Sequence, residues 1–121
     1  HSAYLVLNTD LPGFAQQDQE IMATLIAGLK GRLRASLLDS VAKRKRESVA
    51  RMIVLLRLAV ILKHVEALEE IPDLSVCVDQ QSLTLSYPER WGTDHPLTIW
   101  EIEQGADAMK QLGVSVLLRA N

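Results

Sequence analysis

The chain has 121 residues, of which 48% are apolar and 23% charged, with 13 Lys and Arg against 15 Asp and Glu and one cysteine. That is enough for one ordinary domain or two very small ones, too little for a multidomain enzyme, and too apolar and too nearly neutral for a disordered chain. One cysteine excludes an internal disulfide and points to a reducing, cytoplasmic setting, and no run of 18 uncharged apolar residues offers a membrane span.

Residues 1–8 read as the end of a helix, broken by Thr9-Asp10-Leu11-Pro12-Gly13, so the chain is expected to open inside an element of a longer protein. From Gln16, Ile21, Met22, Leu25, Ile26 and Leu29 form the stripe of an amphipathic helix, with Gly31 as a left-handed cap. Leu33, Leu37, Leu38 and Val41 predict one or two further helical turns. Residues 47–68 are apolar almost all round, interrupted by Arg51 and Arg57. Such a helix must be covered on several sides, and it is expected to be the centre of a helical bundle in which truncating Leu56 or Leu62 costs about 2–5 kcal/mol. Glu69-Glu70-Ile71-Pro72-Asp73 ends it.

After Pro72 the period changes. Leu74, Val76 and Val78 alternate with polar residues, Asp79-Gln80-Gln81-Ser82 turns, and Leu83, Leu85 and Tyr87 alternate again, which reads as an antiparallel hairpin. A helix opens at Asp94 or His95 with Pro96 in its first turn, runs to about Leu112 and closes at Gly113. Residues 114–118 are a last strand. The fold class is α+β: a helical bundle remnant at 1–71, then a small ββαβ domain at 72–121, whose three-stranded antiparallel sheet is covered by one helix. Trp91 and Trp100 are expected to close the sheet layer, and Cys77 to pack as a small apolar side chain.

No self-sufficient active site is legible. His1, His64 and His95 fall in different elements without a nucleophile, no glycine-rich phosphate loop has its strand and lysine, and pairs such as Glu69-Glu70 or Glu101 and Glu103 sit where a solvated role is the better reading. No metal-ligand spacing is present. Charge is the informative feature: residues 30–63 hold ten basic and two acidic residues, a local charge of +8, and the rest of the chain carries −10. A basic middle between acidic flanks points to a local anion-binding surface rather than to nucleic acid, although Lys43-Arg44-Lys45-Arg46 also suits the solvated start of a helix.

The string His1-Ser2-Ala3-Tyr4-Leu5-Val6-Leu7-Asn8-Thr9-Asp10-Leu11-Pro12-Gly13-Phe14 closely resembles a helix-and-turn signature in the C-terminal half of the exopolyphosphatase / guanosine pentaphosphate phosphohydrolase (Ppx/GppA) family. Leu55-Leu56-Arg57-Leu58-Ala59-Val60-Ile61-Leu62 is similar to that family's central helix, and Leu83-Thr84-Leu85, Trp91, a helix and a last strand follow in the family's order. The resemblance implies an N-terminal pair of actin-type ATPase domains, outside these residues, holding the phosphate loops, the magnesium and the catalytic carboxylate. It implies that this chain is the second half of an HD-like helical domain plus the terminal domain, with no catalytic residue, no metal ligand and no cofactor of its own.

The implied role is a non-catalytic region that binds polyphosphate or guanosine pentaphosphate and forms a homodimer. Lys43, Arg44, Lys45, Arg46 and Arg51 are the expected polyanion-facing set, with Lys30, Arg32 and Arg34 as a second patch. The alternatives are a residual metal-dependent HD-type nucleotide phosphohydrolase, although the chain has no His-Asp dipeptide, and a purely structural module that self-associates through apolar surface around Tyr4 and Leu5.

Overall fold

The computed structural model describes Ala3, residues 15–66 and residues 73–121. Apart from Ala3, the expectations for the signature helix and turn at 1–14, for surface at Tyr4 and Leu5, and for the helix end at 69–72 lie outside the described residues.

Helix α1 (Gln16–Gly28) turns Gln19, Ala23, Thr24 and Gly28 fully inward, while Ile21 and Leu25 pack only partly onto the core. The buried side is thus smaller and more polar than the expected stripe, because the helix backbone itself comes close: a Cβ on Gly28 would lie 2.9 Å from the Ile53 side chain. The Thr24 hydroxyl donates to the Glu20 carbonyl at 2.8 Å, which satisfies the one alcohol buried there. Gly31 is left-handed as expected, at φ 75°, but the helix ends at Gly28 with Leu29 as its cap, so Gly31 turns the chain beyond the cap, and a single 3-10 turn (Ala35–Leu38) follows.

Helix α2 (Lys43–Glu66) buries Val49, Ala50, Ile53, Val54 and Leu58. Its other side, Met52, Leu55, Leu56 and Val60, is 38–46% exposed, so of the several sides expected to be covered this one is open. Among the described residues α1, the 3-10 turn and the helix at Pro96–Met109 pack against α2. Leu56 belongs to the open face, and the large truncation cost expected there belongs to Ile53.

Strands β1 (Ser75–Asp79) and β2 (Ser82–Tyr87) form the expected antiparallel hairpin, with Val76 opposite Leu85 and Val78 opposite Leu83. Strand β3 (Ser115–Ala120) pairs with β2 in parallel, Leu83 opposite Val116 and Leu85 opposite Leu118, so the sheet is mixed and not antiparallel throughout. The reason is the connection: a helix spanning the return from the end of β2 carries the chain back to the start of the sheet before β3 begins, as parallel pairing requires. Cys77 pairs with Thr84 on the face away from Leu83 and Leu85 and is exposed, contrary to the packing role expected of it.

The connection holds one more helix than expected, α3 (Glu89–Asp94), before α4 (Pro96–Met109) and a 3-10 turn (Lys110–Leu112). Pro96 disfavours helical backbone at the preceding residue, and His95 accordingly leaves the helix (φ −126°, ψ 57°), which separates α3 from α4. Trp91 is buried, stacked on His95 with ring centroids 4.8 Å apart, whereas Trp100 is 56% exposed and closes nothing. Ile53, Val54 and Leu58 join Leu83, Leu85, Ile102 and Met109 in one apolar cluster, so the segments on either side of position 72 share a core.

Gly113 ends the second 3-10 turn at φ 77°, with open space where a Cβ would stand. Gly113→Ala is therefore expected to cost about 1 kcal/mol through backbone strain alone. Thermal unfolding of that variant beside an alanine substitution at exposed Gln111 checks it; equal melting temperatures would contradict the assignment.

Candidate functional site: a cationic cleft beside the helical layer

Leu33 is 3% exposed, and the backbone around it is extended (Arg34 φ −132°, ψ 146°). Alternation along an extended segment sends Arg32 and Arg34 to the side opposite Leu33, away from the core. Both are exposed, and neither guanidinium has a hydrogen bond or ion pair among the described residues. They line a cleft of about 560 Å³ whose other wall is Asp107, Ala108 and Gln111 at the end of α4.

The approach to this cleft is held by Arg57. From the middle of α2 its guanidinium donates to the Gly28 carbonyl and to the Gly31 carbonyl, both at 2.9 Å. The Gly28 carbonyl is a free acceptor at the C-terminal end of α1, where a cation is favoured, and Gly31 lies two residues beyond the Leu29 cap. Burial lowers the Arg57 pKa from its ordinary value, and the side chain stays charged. The oily run interrupted by one arginine was the signal for this residue, but its partners lie 26 and 29 positions away along the chain.

The primary basic set is divided. Arg46 donates to the carbonyls of Val41 (2.8 Å) and Asp39 (3.1 Å), bracing the loop that enters α2. Arg51 donates to Glu47 and to the carbonyl of Gln80 (2.9 Å), tying α2 to the hairpin turn, where Gln80 sits at φ 41°. Both border a smaller hollow of about 160 Å³ with Gln81 and Leu112. Lys43, Arg44 and Lys45 have no such partners among the described residues. Consecutive helix positions are about 100° apart, so these three fan round the first turn and do not line one face. Lys30 is exposed, one residue before Gly31. The expected set therefore contains two struts, three fanned cations and, in the second patch, two side chains gathered on one cleft.

Among the described residues no three His, Cys, Asp or Glu side chains converge as a metal site would require, and no helix is long and apolar enough to cross a membrane.

Comparison with known proteins gives a family. The model for "Ppx/GppA phosphatase, domain III" matches residues 1–106. A guanosine-5'-triphosphate,3'-diphosphate pyrophosphatase of Photobacterium profundum is 34% identical over 118 residues, covering 98% of this chain and 23% of that protein. Its namesake in Pseudoalteromonas translucida is 29% identical over 119 residues, 98% of this chain and 24% of that protein. The chain thus spans about a quarter of the length of these curated relatives.

Proposed function

Because this chain belongs to the Ppx/GppA phosphatase family, we propose that it is the non-catalytic, substrate-holding and dimer-forming C-terminal region of a cytoplasmic phosphoanhydride hydrolase. Its ligand is polyphosphate or guanosine pentaphosphate, and the family's magnesium and catalytic carboxylate would be supplied by residues outside it.

The observation that carries the reading is the pair of guanidinium groups on one cleft, Arg32 and Arg34, neither of them partnered among the described residues. Guanidinium forks match phosphate oxygens, and they bind without reading anything but charge and spacing. The open apolar stripe of α2, from Met52 to Val60, supports the dimer-forming part, because a contiguous apolar face of that kind is commonly an interaction surface.

Fluorescence anisotropy of labelled polyphosphate tests the role. Arg32→Ala/Arg34→Ala is expected to weaken binding about tenfold or more, given the strength of charge-assisted contacts, with the melting temperature unchanged. Lys43→Ala/Arg44→Ala/Lys45→Ala should weaken it less, because those cations fan. Affinity in both variants equal to that of the unaltered chain would overturn the proposal.

A further inference from the structure

We propose that the outer edge of β1 is a self-complementary pairing edge, on which β1 of a second copy lies antiparallel about Cys77 and joins the two sheets into one. The contact is separate from the apolar stripe of α2 and independent of the phosphate-holding role.

The direction in which each strand residue bonds shows which groups of β1 are left over. The carbonyls of Gln81 and Tyr87 accept from the N–H groups of Ser115 and Asn121, at the two ends of β3, both at 2.9 Å. The odd-numbered residues of β2 therefore face β3, and Ser82, Thr84 and Ser86 face β1. Their partners across the hairpin are Asp79, Cys77 and Ser75, whose main-chain groups point inward to β2. The N–H and C=O groups of Val76 and Val78 consequently point the other way, to an edge with no neighbouring strand among the described residues.

This edge lacks the usual protection. All of β1 is exposed, its pairing with β2 runs without a bulge, and it holds no lysine, arginine or proline. Val76 and Val78 lie on the inner face of the sheet with Leu83 and Leu85, yet they are half-exposed. Helix α4 packs over β3, and β2 is the only element packed extensively on β1 among the described residues.

A second copy fits because Ser75-Val76-Cys77-Val78-Asp79 complements itself when reversed about its centre. A two-fold axis through that centre sets each Val76 against Val78 of the second copy in a pair that exchanges both main-chain hydrogen bonds. The valines of both copies then form one apolar patch on the inner face, and each Ser75 hydroxyl meets an Asp79 carboxylate. The two Asp79 residues stay about 14 Å apart, four positions out of register, which exceeds the screening length of about 10 Å at 0.1 M salt. Cys77 meets its own copy at a non-hydrogen-bonded position, where Cα atoms lie about 4.5 Å apart, within the span of a disulfide.

Because Cys77 is the single cysteine, it reports the register. Diamide, which takes up the two electrons and two protons as two thiols become a disulfide, should give a covalent dimer on a non-reducing gel. The reaction is expected to run at least about tenfold faster than in Cys77→Ser/Ser75→Cys, whose thiols would stand about 14 Å apart in the pair. Leu56→Asp, on the α2 stripe, should leave the rate unchanged. Sedimentation equilibrium of the reduced Leu56→Asp chain isolates this contact. A five-residue pairing is small, so dimer is expected to grow in between about 10 μM and 1 mM and to vanish when Val78→Pro is added. Proline there removes one outward N–H, a loss an edge strand tolerates. Equal cross-linking from positions 75 and 77, a reduced Leu56→Asp chain that is monomeric throughout, or undiminished dimer in folded Val78→Pro would overturn the proposal. Should Val78→Pro fail to fold, the comparison of the two thiol positions decides it alone.

Discussion

Ile53→Ala is expected to lower the unfolding free energy by about 2–5 kcal/mol, the range for deleting a fully buried branched aliphatic side chain. Ile53 is 0% exposed at the centre of α2. Its Cδ1 and Cγ2 atoms sit against the backbone of α1 where Gly28 leaves no Cβ between them. A vacated volume walled by helix backbone collapses poorly, so the upper part of the range applies. A small domain is stable by only about 5–15 kcal/mol, and the loss would be a large share of that. Leu56→Ala, three residues on but 41% exposed, should cost about 1 kcal/mol or less, because most of its surface stays in water. Urea unfolding of the two variants side by side is the measurement. Equal losses would mean that the inward and outward faces of α2 have been assigned the wrong way round.

Arg57→Met is expected to cost about 2 kcal/mol and, separately, to weaken phosphate-chain binding although Arg57 does not line the cleft. The first effect follows from two carbonyls, of Gly28 and Gly31, losing a charged donor at 2.9 Å, with methionine keeping most of the apolar stem. The second follows from position: the segment released is the one leading into Arg32 and Arg34, and a site whose groups must be ordered on binding loses affinity. Arg57→Lys should recover little of either. A single ammonium is a point charge that does not span two acceptors as a planar fork does. Chemical unfolding reads the first effect and anisotropy with labelled polyphosphate the second. Full binding in a folded Arg57→Met chain would show that the arginine holds the helix end and nothing more.

The residues that make the elements were readable along the chain, and those that join them were not. Helix α1, the hairpin, the helix opening at Pro96 and the left-handed turns at Gly31 and Gly113 all rest on local periodicity and punctuation. The direction of β3 was missed because alternation reads the same in both directions; the long helical return before it was the available sign. Apolarity all round α2 says how much surface favours cover, not what supplies it, so the open stripe at Met52, Leu55, Leu56 and Val60 was invisible. The basic set failed to group for a related reason. Arg46, Arg51 and Arg57 look like their neighbours in sequence, but each ends on main-chain carbonyls, two of them far along the chain, whereas Arg32 and Arg34 are turned outward by flanking one buried leucine.

The parallel register of β3 also sets an order of assembly. Strands β1 and β2 meet across a two-residue turn and can zip locally, but β3 finds its partner only after residues 88–114 have folded back over the sheet. Bringing such distant segments together costs chain entropy before any rung forms. Strand β3 is therefore the piece of this sheet that pairs latest, and the layer over Leu83 and Leu85 is sealed only when it does.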